Sequence, residues 1–197
     1  MKKKSGPILW ILTMFFMQCN PVPKTSMRGA GYFDVDSLVN SQIVHLINAR
    51  AGLTKTGTLD NETDTATYTP DSAGWVAEFE LFASMNINKP VNQGQYKVIE
   101  KEEDTSNLKV MEYQHISGDN TLGPSIKIRY YKELINIKSL EIINYQENPV
   151  FSGKRTMKMD FEEIGGVPLL KGFSISGNQK MIGAETTSYF IVGAVNL

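Results

Sequence analysis

At 197 residues the chain has the length of one domain, enough to bury roughly 70% of the surface its unfolded form exposes. Hydrophobic residues make up 41% of it and charged residues 21%, a balance that excludes a disordered or fibrous chain. The net charge of −1, with no cluster of cations beyond Lys2 to Lys4, excludes the basic stripe that a nucleic-acid partner requires.

Lys2, Lys3 and Lys4 precede an apolar run from Ile8 to Met17, the order of charge and hydrophobe found in a bacterial export signal, here residues 1–18. The run is shorter than the ~20 residues a membrane-spanning helix needs. It ends at Cys19, the chain's single cysteine. A lone cysteine directly after such a run resembles the lipobox of bacterial lipoproteins. The resemblance implies cleavage before Cys19, acylation of its thiol and anchoring of the new N-terminus in a membrane. Phe16 and Gln18 stand where that pattern has leucine and a small residue. The same residues also fit a simple secreted protein or an uncleaved anchor, with Cys19 incidental. An acylated Cys19 leaves the domain without a thiol, and so without a disulfide framework or a cysteine nucleophile.

Residues 19–31, with Pro21, Pro23 and Gly29 among them, show no hydrophobic period and read as a tether. In Bacteroidota lipoproteins, acidic residues after the acylated cysteine direct export to the cell surface. The segment from Asn20 to Lys24 has none, so by that resemblance the protein is an outer-membrane lipoprotein facing the periplasm.

The remaining residues, 32–197, form one predicted domain. Asp34 or Asp36 caps a helix with Val35, Val39, Ile43, Leu46 and Ile47 at spacings of three and four, ending near Gly52. Leu53 to Thr69 reads as two strands joined at Asp60 and Asn61, an exposed hairpin. Asp71 or Ser72 caps a second helix carrying Trp75, Phe79 and Phe82 on one stripe, flanked by Val76 and Ala83, and Asn88, Lys89 and Pro90 end that element. Tyr96 and Val98, then Leu108, Val110 and Glu112, suggest a hairpin turning through the acidic residues Glu102, Glu103 and Asp104. From Ile126 to Val195, apolar and polar residues alternate in five runs. Ile126, Ile128 and Tyr130 lead the first; Leu140 and Ile142, Met157, Met159 and Phe161, Phe173 and Ile175, and Tyr189 and Ile191 follow. Asn148 with Pro149 and Gly165 to Pro168 mark breaks, and Gly177 with Asn178 a tight hairpin turn. The expected fold is α+β: an antiparallel, curved sheet with two covering helices.

Several short segments together resemble a group of Bacteroidota lipoproteins for which no activity is established. They are Tyr32, Phe33 and Asp34; Trp75, Glu78, Phe79 and Phe82; Ile87, Asn88, Lys89 and Pro90; Asn148 to Phe151; and Ile175, Gly177, Gln179, Lys180 and Tyr189. At the level of fold, an export signal followed by helices and a long antiparallel sheet is similar to lipoprotein carriers of the LolA and LolB kind. That similarity implies a cavity for acyl chains between sheet and helices, though fold alone does not fix function.

Catalytic and metal chemistry find no foothold. His45 and His115, the only histidines, have no carboxylate at metal-ligand spacing. Gly172 to Ser176 lacks the last glycine of a hydrolase elbow, and no Gly-rich phosphate loop or dinucleotide fingerprint occurs. Glu162 and Glu163 are adjacent in a strand, and so face opposite sides. The acidic residues around Glu102 lack the spacing of a calcium loop. The chain therefore reads as a protein without enzymatic activity, metal or cofactor. Two roles remain. One is an anchored binding module for an apolar ligand, with Met157, Met159, Phe161, Phe173 and Ile175 lining a cavity. The other is a structural or protein-interaction module of the envelope, with a solid core and no pocket.

Overall fold

The computed structural model describes residues 31–119 and 121–197; the expected export signal, Cys19 and the tether as far as residue 30 lie outside the described residues. Two helices cover one face of a nine-stranded antiparallel sheet.

Helix α1 (Val35–Ala49) begins where the Asp34 carboxylate accepts the Ser37 backbone N–H at 3.1 Å, satisfying one of the free amides of the first turn. Val35, Val39, Ile43 and Leu46 are buried as expected. Ile47 is 38% exposed, because it lies about 100° round the helix from Leu46, at the far edge of the stripe. Gln42 is buried in its place. Strands β1 (Gly52–Leu59) and β2 (Glu62–Tyr68) form the hairpin around Asp60 and Asn61. The hairpin does not stand alone: β1 pairs along its whole length with the last strand.

Helix α2 (Ser72–Ser84) is capped by Asp71, whose carboxylate accepts from the Gly74 N–H at 2.7 Å. Trp75, Phe79 and Phe82 are fully buried, whereas Val76 points to solvent. The helix stops at Ser84, ahead of Asn88, and Pro90 instead opens a single 3-10 turn (Pro90–Asn92). Proline suits that position because the first helical residue has no use for an amide hydrogen.

Strands β3 (Tyr96–Glu102), β4 (Lys109–His115), β5 (Ser125–Tyr130), β6 (Ile137–Asn148), β7 (Phe151–Ile164), β8 (Val167–Met181) and β9 (Thr187–Asn196) follow as a meander, each from β4 onward paired with its predecessor. The β1–β2 hairpin then adds beside β9, giving the order β2-β1-β9-β8-β7-β6-β5-β4-β3. In β4 the residues facing the helices are Met111 and Tyr113, since they pair with the buried Ile128 and Ile126. Val110 and Glu112 lie on the opposite face.

Of the three breaks expected beyond β6, two are present and one is not. Pro149 with Val150 separates β6 from β7, and Gly165 with Gly166, both at positive φ, closes the two-residue turn between β7 and β8. Gly177 and Asn178 form no turn. They lie inside β8, and the chain reverses between Met181 and Thr187. Glycine at 177 makes room rather than a bend: a Cβ there would stand 2.5 Å from the Tyr189 hydroxyl and 2.6 Å from the Lys154 carbonyl.

The core sits between α2 and the middle of the sheet. Trp75 and Phe79 stack at 5.6 Å, and Phe173 of β8 meets Phe79 and Phe82 edge-on at 5.4 and 6.1 Å. Gly193 of β9 lies beneath Phe173, where a Cβ would run into the ring.

Candidate functional site

The register across the sheet orders the helix-bearing face into rows. One row runs Ile142, Met157, Ile175, Ile191 and Gly57. The next runs Asn144, Arg155, Gly177, Tyr189 and Leu59. Ile142, Met157 and Ile175 are closed over, but Ile191 and Tyr189 are only half-buried and Leu59 is 56% exposed. Over β1, β2 and β9 this leaves an open hollow of about 450 Å³, lined by Gly57, Leu59, Glu62, Asp64, Tyr189 and Ile191. Its volume falls in the range of small-molecule sites, its floor is apolar, and the carboxylates Glu62 and Asp64 stand on the β2 side.

Tyr189 divides this hollow from a shallow polar depression on β6, β7 and β8 that it also lines. Its ring crosses Gly177, and its hydroxyl accepts a hydrogen bond from Arg155 Nε at 2.8 Å. Arg155 is half-buried and has no carboxylate within ion-pair reach among the described residues. Opposite it in the ladder is Asn144, only 8% exposed, whose amide makes no hydrogen bond among the described residues. Gln146, Lys154, Asn178 and Gln179 complete the polar surface.

The residues named from the sequence as cavity lining stand elsewhere. Met157, Met159, Phe161, Phe173 and Ile175 are buried in the core, and none of them lines the hollow. Nothing in the sequence marks Leu59 as a site residue, and Ile191 reads only as part of one more alternating run, shared with Tyr189. The hollow forms where the first and last strands pair, about 130 residues apart along the chain, and periodicity carries no signal for that pairing. Two of the segments named for the lipoprotein resemblance meet at this end: Phe151, and Gln179 with Tyr189, line the depression.

The remaining segments of that resemblance hold the fold together. The Tyr32 N–H donates to Asn88 Oδ1, Asn86 Nδ2 donates to Asp34 Oδ1, and the Tyr96 N–H donates to the Tyr32 hydroxyl. Glu78 of α2 accepts from Lys55 Nζ at 2.7 Å and from the Tyr68 hydroxyl at 2.8 Å, fastening the helix to β1 and β2. Desolvation, followed by the bond to the Glu78 carboxylate, pushes the Tyr68 hydroxyl up to about 12.

On the opposite face of the sheet the charges are paired. Glu112 lies between Lys101 and Lys127 at 3.2 and 3.3 Å, and Arg129 bonds Glu103 at 3.1 Å. Burial works to raise the Glu112 carboxyl, but the two lysines outweigh it and hold it below the usual carboxylate range. The acidic turn is thus tied into the sheet through Glu103. His115 packs edge-on against Tyr96 and bonds Ser117, and no group of three metal-ligating side chains occurs among the described residues. No family model, no curated protein and no solved structure matches the chain.

Proposed function

We propose that this is a non-catalytic lipoprotein of the bacterial envelope, anchored by an acylated Cys19 in the outer membrane and facing the periplasm, whose domain binds an apolar ligand such as a lipid or acyl chain. The anchor is supported by the order of Lys2 to Lys4, the apolar run and the lone Cys19. The observation that carries the binding role is the open hollow of about 450 Å³ floored by Leu59, Ile191 and Tyr189. An apolar surface left uncovered beside a fully packed core marks a binding region rather than unused core.

Native mass spectrometry of the protein purified from a bacterial periplasm without added ligand tests this reading. A co-purifying lipid, together with loss of fluorescent fatty-acid uptake in Leu59→Glu and Ile191→Glu variants, is the expected result. An empty protein that takes up no probe overturns it. That outcome favours the second reading, a structural or protein-interaction module, for which the specific feature is β2: a sheet edge whose seven residues are all exposed.

A further inference from the structure

The hollow supplies apolar surface, but the residues beside it carry a second chemistry. Arg155 has four remaining guanidinium N–H groups once Nε is given to Tyr189. That bond restrains the plane of the guanidinium, whose Nη groups form a fork of the spacing a carboxylate accepts in two parallel hydrogen bonds. Among the described residues no carboxylate stands within ion-pair reach of this half-buried cation. Its cross-strand neighbour Asn144 is nine-tenths buried, lines the same depression and leaves its amide uncommitted among the described residues.

Charge fixes a direction along the site. Glu62 and Asp64 border the apolar hollow on β2, at the opposite end from Arg155. A negative head is repelled at the β2 end and attracted at the β7 end, while an alkyl chain fits the floor of Leu59, Ile191 and the Tyr189 ring between them. Tyr189 belongs to both halves, presenting its ring to the hollow and its hydroxyl to Arg155.

We infer that the ligand is an anionic amphiphile of the fatty-acid class, its carboxylate held by Arg155 and Asn144 and its chain lying over Tyr189 toward Leu59. This rests on the binding role proposed above, narrowing it from an apolar ligand to one with an anionic head. The test compares palmitate with hexadecanol, equal in chain length and differing in charge, on the full chain carrying Cys19→Ser so that no attached acyl group competes. Each displaces a fluorescent probe at pH 7.5. Palmitate is expected to bind at least about tenfold more tightly, as charge-assisted hydrogen bonds imply. The advantage is expected to vanish in Arg155→Ala, to persist in part in Arg155→Lys, and to disappear in the unmodified site once the head is protonated at pH 4. Equal affinity for acid and alcohol overturns the headgroup assignment while leaving the apolar site standing. Absence of binding by both overturns the site itself. The comparison of the two ligands on the unsubstituted protein decides the matter even if an Arg155 variant fails to fold.

Discussion

Single residues at crowded positions bear on the fold most directly. Gly193 lies under the Phe173 ring with no room for a methyl group, so Gly193→Ala must displace a ring that itself meets Phe79 and Phe82. Chemical denaturation is expected to show a loss of about 1–3 kcal/mol, the usual cost of overpacking. Tyr68 offers a second reading at this scale. Its hydroxyl is pushed up to about 12 against an unperturbed 10. The unfolded chain therefore releases this proton before the folded one does. The linked stability is intact below pH 10 and declines as the pH climbs toward 12. Ultraviolet titration should show one tyrosine ionising near the upper limit, and in Glu78→Gln that transition should move down toward 10. An unchanged titration in Glu78→Gln would show that the Glu78 carboxylate has no part in the shift.

At the scale of elements, local signals were legible and lateral ones were not. Both helices could be read because a capping aspartate precedes each apolar stripe, and the alternation of β5 to β9 announced strands. Gly177 misled because glycine in a sequence marks equally a turn or a place where another side chain must approach, and only the Tyr189 ring across the ladder tells the two apart. Gln42 was illegible for a related reason. A polar residue in an apolar stripe reads as a flaw, yet its amide donates to the Pro168 carbonyl at 3.1 Å and accepts the Leu170 N–H at 2.8 Å. Those bonds fall beside the β-bulge in β8, where the pairing with β7 steps past Lys171 and turns both Leu170 and Phe173 toward the helices. Gln42→Leu keeps the size but strands a buried backbone amide. It should cost about 1–3 kcal/mol, with hydrogen exchange rising first at Leu170. Retention of slow exchange there would mean that the side chain is not the bond that matters.

For the whole molecule, the connection of first strand to last sets both assembly and site. In the sheet order, β9 lies between β8 and β1, so the hairpin formed early in the chain has no place in the sheet until the final strand is laid down. Helix α2 is fastened to that hairpin through Glu78 and to β8 through the contacts of Phe79 and Phe82 with Phe173. The hollow needs Leu59 from one end of the chain and Tyr189 with Ile191 from the other. A chain ending at Thr186 should therefore lose more than an edge strand. The meander from β3 to β8 keeps its local hairpins, but the gap left by β9 separates β1 and β2 from β8 and strips α2 of one of its two supports. Trp75, the only tryptophan among the described residues and fully buried against Phe79, reports on this directly. Its emission is expected to shift toward that of a solvated indole, with loss of fatty-acid uptake in parallel. Removing β2's outward residues one at a time, by contrast, should leave the indole buried, since all seven positions of that strand face solvent at least in part. If the truncated chain kept Trp75 buried and still took up the probe, the site could not depend on the pairing of β1 with β9, and the hollow would have to be sought on the strands that remain.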